Sequence, residues 1–260
     1  MNRKTTPHIL KNTYESICEV RFNRVERKNA LTLDMYDHLA EILTEVDQDT
    51  QTKVLIFTGE GDAFTSGNDL MDFMKSPPTD IDTPVFRFLK ALASFSKPLI
   101  AGVNGVAIGI GTTMLLHCDL VYASSSAIFQ LPFIRLGLVP EAGASLLLPQ
   151  MLGHRRAAEL LMLGNKFTAT EAKNSGIIND HVPPDQLNTL VMEKAKALAA
   201  LPPAAMRQTK ALLKRVHSDT LEQTMIIEGE VFMKRLGSPE NSEAFRAFFE
   251  KRSPDFTQFS

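Results

Sequence analysis

The chain has no tryptophan and only two cysteines among its 260 residues. Cys18 and Cys118 lie far apart and without metal-ligand spacing. They read as two buried, reduced thiols, with no disulfide framework and no metal site expected. Long apolar runs are missing too. The stretch from Leu99 to Leu116 is broken by Gly102, Asn104, Gly105, Gly109 and Gly111, so no membrane association is expected. No apolar signal core follows Met1-Asn2-Arg3-Lys4, and Gln258-Phe259-Ser260 is not a targeting tripeptide, which gives a cytoplasmic expectation. Charge of either sign is scarce as an excess: the formal net charge is -2, which argues against broad nucleic-acid binding. Low-complexity segments and sequence repeats are also absent.

What is present is ordinary for a globular protein, with 44% apolar and 22% charged residues, enough to bury a core without staples. Strand and helix patterns alternate through the first 200 residues. Cys18, Val20 and Phe22 alternate with Glu19 and Arg21, which predicts a half-buried strand. Thr32-Leu33-Asp34 opens a helix whose apolar positions Met35, Leu39, Ile42, Leu43 and Val46 share one face. The continuous run Lys53 to Gly59 predicts a strand covered on both faces. Pro98 to Val103 and Asp119 to Ala123 predict two more, with a helix from Pro84 to Phe95 before them and a short apolar helix from Gly109 to His117 between them. This is the α/β crossover pattern. After Leu201-Pro202-Pro203 only helices are expected, over 204–216, 220–236 and 240–251. The division is therefore 1–200 as an α/β core and 201–260 as a helical region for oligomerisation or simple packing.

Three segments carry chemistry. Phe64-Thr65-Ser66-Gly67-Asn68-Asp69 is a small-residue turn after a strand, where the main chain can approach a ligand or merely turn tightly. Ala107-Ile108-Gly109-Ile110-Gly111 sets two glycines before a helix, whose first amides can hold an oxyanion. The same glycines also suit close helix–strand packing. An oxyanion site needs a proton carrier, and Thr112, Thr113 and Phe133 are poor ones. Glu141, in Pro140-Glu141-Ala142-Gly143, is the carboxylate at a loop-to-helix junction, although proline followed by glutamate is equally a favourable helix start. Arg24, Arg27 and Lys28 form a basic cluster suited to phosphates. His117 and His154 read as structural or surface residues, and Asp119 as the organiser of a helix-to-strand turn.

Taken together, these segments resemble the enoyl-CoA hydratase/isomerase (crotonase) superfamily from about Ile17 to Phe256. The resemblance is carried by Asn23-Arg24 with Asn29-Ala30-Leu31, the Phe64–Leu70 segment, Lys97-Pro98, Val103-Asn104-Gly105, Gly109-Ile110-Gly111, Cys118-Asp119 and Leu136-Gly137-Leu138-Val139-Pro140-Glu141-Ala142-Gly143. Thr170-Glu171-Ala172, Gly176-Ile177 and Phe248-Phe249-Glu250-Lys251-Arg252 follow. It implies an α/β fold, a crotonase-like spiral of strand-strand-helix units with a C-terminal helical trimerisation region. It also implies an acyl-CoA thioester substrate, no cofactor beyond the coenzyme A of that substrate, and a homotrimer or hexamer. The oxyanion amides it implies are those of Ser66 and Ile110. For coenzyme A it implies contacts from Asn68, Asp69, Leu70, Phe248 and Lys251 beside the basic cluster. Hydratases of the family place two glutamates where this chain has Thr113 and Phe133. The pattern is closest to the peroxisomal-type Δ3,Δ2-enoyl-CoA isomerase branch, whose catalytic glutamate maps onto Glu141. Met71, Met74, Leu131, Phe133, Leu136 and Leu138 are the expected acyl pocket. Other reactions of the superfamily (hydration, ring-epoxide or dienoyl isomerisation) and acyl-CoA binding without catalysis remain the alternatives.

Overall fold

The computed structural model describes residues 7–76, 80, 82–216 and 218–259. The first half of the chain gives β1 (Ile9–Tyr14), β2 (Ile17–Phe22), α1 (Leu33–Gln48), β3 (Val54–Gly59), β4 (Ala63–Thr65), α2 (Leu70–Lys75), α3 (Pro84–Ser94), β5 (Leu99–Val103), β6 (Val106–Ile108), α4 (Ile110–Thr113), β7 (Leu120–Ser124) and β8 (Ile128–Gln130). The second half gives α5 (Ala144–Leu152), α6 (His154–Leu163), β9 (Lys166–Thr168), α7 (Ala169–Asn174), β10 (Asp180–Val182), α8 (Leu187–Ala199), α9 (Pro203–Lys214), α10 (Ser218–Arg235) and α11 (Pro239–Phe249).

The strands form two sheets, ordered β1-β2-β3-β5-β7-β10 and β4-β6-β8-β9. Consecutive strands β3 and β4, β5 and β6, and β7 and β8 each split between the two sheets before the chain passes into helix. These are turns of a strand-strand-helix spiral, as the resemblance implies. Within the larger sheet β2, β3, β5, β7 and β10 run parallel, and β1 closes one edge antiparallel to β2.

Both faces of the larger sheet are covered, which is why β3 is a continuous apolar run. On one face Ile17, Val54, Ile56 and Ile100 meet Leu187, Val191 and Ala195 of α8. A Cβ on Gly102 would stand 3.0 Å from Cγ2 of Val191, so that glycine lets α8 lie close. On the other face Val20, Phe22, Leu55, Phe57 and Leu99 join α1 and α3 in the main core. Each such fully buried side chain contributes roughly 1.5–3 kcal/mol. Helix α1 begins where the sequence predicts, with the Thr32 side chain accepting from Met35 N–H.

One expectation is corrected, and five short strands add to the pattern. Strand β2 is not half-buried: it lies between β1 and β3, and Glu19 is 8% exposed, its charge met by Arg21 at 3.0 Å. The three-residue strands β4, β6, β8, β9 and β10 give too short a pattern to be expected from periodicity. The helical tail docks on the body. Lys210 Nζ donates to Asp119 Oδ2 and to the Lys97 carbonyl, both at 2.7 Å. Asp119 also accepts from Leu99 N–H, fixing the turn into β7. Among the described residues no helix is long and apolar enough to cross a membrane.

Candidate active site

The smaller sheet brings the two glycine loops together. Strand β4 pairs with β6 in parallel, Ala63 opposite Val106 and Thr65 opposite Ala107, so the chain leaves both strands at the same end. The loops then touch. A Cβ on Gly67 would lie 2.8 Å from the Ile108 carbonyl, and one on Gly111 would lie 2.8 Å from the Thr65 carbonyl. Only glycine permits that approach, and Gly67 also holds φ 92°. Gly109 has φ 57° and open space where its Cβ would point.

The amides of these loops sort into spent and free. Ser66 N–H donates to the Lys28 carbonyl at 2.9 Å, which corrects the expectation that Ser66 supplies an oxyanion amide. Asn68 takes its place. Leu31 N–H donates to the Gly67 carbonyl and Asp69 N–H donates to the Leu31 carbonyl, so the intervening Asn68 N–H faces the opposite edge. Neither it nor the Ile110 N–H, at the start of α4, has a partner among the described residues. The Asn68 side chain is held from behind: Tyr36, 1% exposed on α1, donates its hydroxyl to Asn68 Oδ1 at 2.5 Å.

Glu141, in the loop before α5, is tied to the helix turn that begins at Ile110. Thr113 Oγ1 donates to Glu141 Oε1 at 2.5 Å, and Ile110 and Thr113 are about one turn, roughly 5 Å, apart along α4. Glu141 is half-buried and precedes the cap of α5, so it is not the first-turn residue that the proline–glutamate pair alone suggests. Burial pushes its carboxyl up to about 8; the Thr113 hydroxyl pulls the other way and the charge of Glu228 adds to the rise. Burial also holds the Tyr36 phenol well above its ordinary value, with the Glu141 charge reinforcing it. The turn behind Glu141 is left-handed at Ala142, φ 61°, and Gly143, φ 73°. His117, 2% exposed, bonds the Ala142 carbonyl through Nε2 at 2.8 Å. The acceptor fixes that nitrogen as N–H, and burial lowers the ring to about 4, so His117 is neutral. A half-buried carboxyl, two unspent amides and no water-sharing second carboxylate at Thr113 or Phe133 make a site fit to move a proton on a carbon beside a carbonyl.

The sequence profile of the Enoyl-CoA hydratase/isomerase family matches residues 12–259. The chain belongs to that family. It is 36% identical over 250 residues to enoyl-CoA delta isomerase 2 of Rattus norvegicus, covering 94% of this chain and 64% of the relative. The chain thus spans less than two thirds of that protein. Against the 1,2-epoxyphenylacetyl-CoA isomerase of Escherichia coli K12 it is 34% identical over 256 residues, 96% of this chain and 98% of the relative. The crystal structure of an enoyl-CoA hydratase/isomerase from Pseudoalteromonas atlantica T6c superposes with a TM-score of 0.92 at 40% identity, over 96% of this chain and 99% of that one.

Within this enoyl-CoA hydratase/isomerase fold the expected coenzyme A residues do not form one cluster. Arg24 is committed to an ion pair with Asp69 at 2.6 Å and to the Ala30 carbonyl, so it braces the loop rather than offering a free guanidinium. Asp69 caps α2 through Met71 and Asp72 N–H. Burial opposes its charge, but Arg24 and those amides hold its carboxyl below the ordinary range. Arg27 is exposed, and exposed Lys28 pairs with Asp62. Leu70 opens α2. Phe248 lies in the last turn of α11 and Lys251 just past its end, and no hydrogen bond or ion pair among the described residues ties them to the Arg24–Lys28 segment. Of the acyl-pocket residues, Met71 and Met74 are half exposed on α2, whereas Leu131, Phe133 and Leu138 are buried in the core with Leu136 against it. Sequence reasoning missed Tyr36, Asn68 as the amide donor, and Glu228; the long separation of each from its partner left no local signal. Among the described residues no three His, Cys, Asp or Glu side chains gather as a metal site.

Proposed function

We propose that the chain is an acyl-CoA isomerase that moves a 3-enoyl-CoA double bond to the trans-2 position. The observation that carries this is the single carboxyl, Glu141, held by Thr113 beside the unspent Ile110 amide. In the proposed reaction the Glu141 carboxylate takes a proton from carbon 2. The electron pair flows into the thioester oxygen, which the Asn68 and Ile110 amides receive. The electrons then return through carbon 2 and carbon 3, and Glu141 delivers its proton to carbon 4. No water is consumed, and one group both accepts and donates. Each amide is worth roughly 3 kcal/mol of transition-state stabilisation. A carboxyl near 8 suits both roles around neutral pH.

The test is turnover of 3-hexenoyl-CoA against crotonyl-CoA in deuterated water, followed by mass spectrometry. Isomerisation of the first with little hydration of the second supports the reading. Efficient hydration of crotonyl-CoA with no isomerisation sinks it. Ring-epoxide isomerisation is a second reading, favoured by the end-to-end match to the Escherichia coli 1,2-epoxyphenylacetyl-CoA isomerase. It uses the same amides and is separated by offering a ring-epoxide thioester alongside.

A further inference from the structure

Helix α10 lies in the chain far beyond the spiral, yet one of its faces reaches the seat of the base. Leu221, Met225, Glu228 and Phe232 recur at spacings of four, three and four residues, so they share that face. Leu221 and Met225 bear on Gly143: a Cβ there would lie 2.2 Å from Leu221 Cδ1 and 3.6 Å from Met225 Cγ. Phe232 meets Phe73 of α2 edge-on at 6.1 Å. Between these apolar contacts stands Glu228, 6% exposed. Its carboxylate accepts Gly143 N–H at 2.6 Å, Ser145 N–H at 2.8 Å and the Ser145 hydroxyl at 2.5 Å.

We infer that Glu228 is the positioning residue of the Glu141 base, clamping its turn to α10 and placing a carboxylate behind it. This rests on the proposed function above. Glu228 Oε2 accepts from Gly143 N–H and Oε1 from Ser145 N–H and the Ser145 hydroxyl; burial raises its carboxyl, and these three donors pull it back toward the anion. The start of α5 adds a favourable dipole. Ala142 and Gly143, both left-handed, do not hold this turn by themselves. His117 fixes the Ala142 carbonyl from one side and Glu228 fixes the Gly143 amide from the other. The groups facing Glu141 are therefore the Tyr36 phenol from α1, the Thr113 hydroxyl from α4 and the Glu228 charge from α10, with His117 neutral beneath the turn. The Glu228 charge opposes ionisation of Glu141, so the base keeps its proton to a higher pH than burial alone would give.

The experiment uses the full chain with Glu228→Gln, which keeps the size but turns an amide NH2 toward one of the donors. The expected result is a kcat at least tenfold lower with KM for a 3-enoyl-CoA within about twofold, and a rate-limiting ionisation moved to lower pH. A purely structural role would leave the ionisation where it was. Ser145→Ala, at an exposed residue, removes one donor without touching the backbone and keeps the test alive if Glu228→Gln misfolds. It should lower kcat about twofold to fivefold with KM unchanged. Wild-type kcat and pH profile in either folded variant overturn the inference. Glu141→Gln runs alongside: if it keeps full isomerase activity the proposed function fails, whereas an inactive Glu141→Gln beside a wild-type-like Glu228→Gln removes only the role of Glu228.

Discussion

Thr113 donates its hydroxyl to Oε1 of Glu141, joining the helix that begins at the Ile110 amide to the loop that carries the carboxyl. The residue standing where a hydratase of the family would have a glutamate thus holds the one carboxyl that remains. Because this hydroxyl favours the charged form of Glu141, removing it should push the carboxyl further up. Thr113→Val is expected to lower kcat about tenfold at neutral pH and to move the rising limb of the pH–rate profile upward. A limb that stays in place, measured with a 3-enoyl-CoA, would show that the contact does not act on the base.

Glu141→Gln should lose activity by roughly 10²–10⁴-fold or more, with affinity for a saturated acyl-CoA unchanged by calorimetry. It should also stabilise the fold in a defined pH window. The folded carboxyl titrates near 8 and the unfolded one in the ordinary range, so between them the folded state holds a proton that the unfolded chain has released. Stability of the wild type therefore falls as pH rises through that window. The variant escapes this fall, and its melting temperature should exceed the wild type's by a margin that widens from pH 5 to pH 8. Glu141 keeps some solvent access, so a gain on the order of 2 kcal/mol is expected at the upper end. Equal melting curves at pH 8 would contradict the buried-acid account.

The two glycine loops tolerate substitution differently. Gly111→Ala would drive a methyl into the Thr65 carbonyl, and only backbone movement relieves that contact. Misplacement of the Ile110 amide by about 1 Å should cost on the order of 10²-fold in kcat. Ser66→Ala should be close to silent, since its backbone amide is spent on Lys28 and its hydroxyl makes only a 3.3 Å contact with the Arg27 carbonyl. A Ser66→Ala enzyme with a large loss of rate would overturn the assignment of the amides.

Helix α9 presents Leu212, Leu213 and Val216 beside it at 67%, 77% and 73% exposure, more apolar surface in one place than an isolated chain needs. Light scattering should give a mass of three or six chains at micromolar concentration. Leu212→Glu with Leu213→Glu should shift the protein toward monomer. A wild type that is monodisperse as a monomer would remove the assembly from the account.

The sequence by itself determined the parts whose signals are local. Thr32 opens α1, the apolar run at Val54–Gly59 is a strand covered on both faces, and the glycines of 109–111 mark a helix start, with Gly109 at its cap and Gly111 in its first turn. Glu141, too, stood out locally, as the carboxyl beside a glycine-bearing turn. Tertiary structure decided which atoms of those segments are available. Whether Ser66 or Asn68 offers an amide depends on the pairing of Leu31 with the Gly67–Asp69 stretch, a contact across more than 30 residues that no periodicity records. The smaller sheet was invisible for the same reason: its three-residue strands have no pattern of their own and exist only through their partners. Glu228 looks like one more charged residue on a tail helix. Only the packing of α10 against Gly143 turns it into the acceptor that holds the turn behind Glu141. A backbone donor is spent or free according to what the fold sets opposite it, and that is decided in three dimensions.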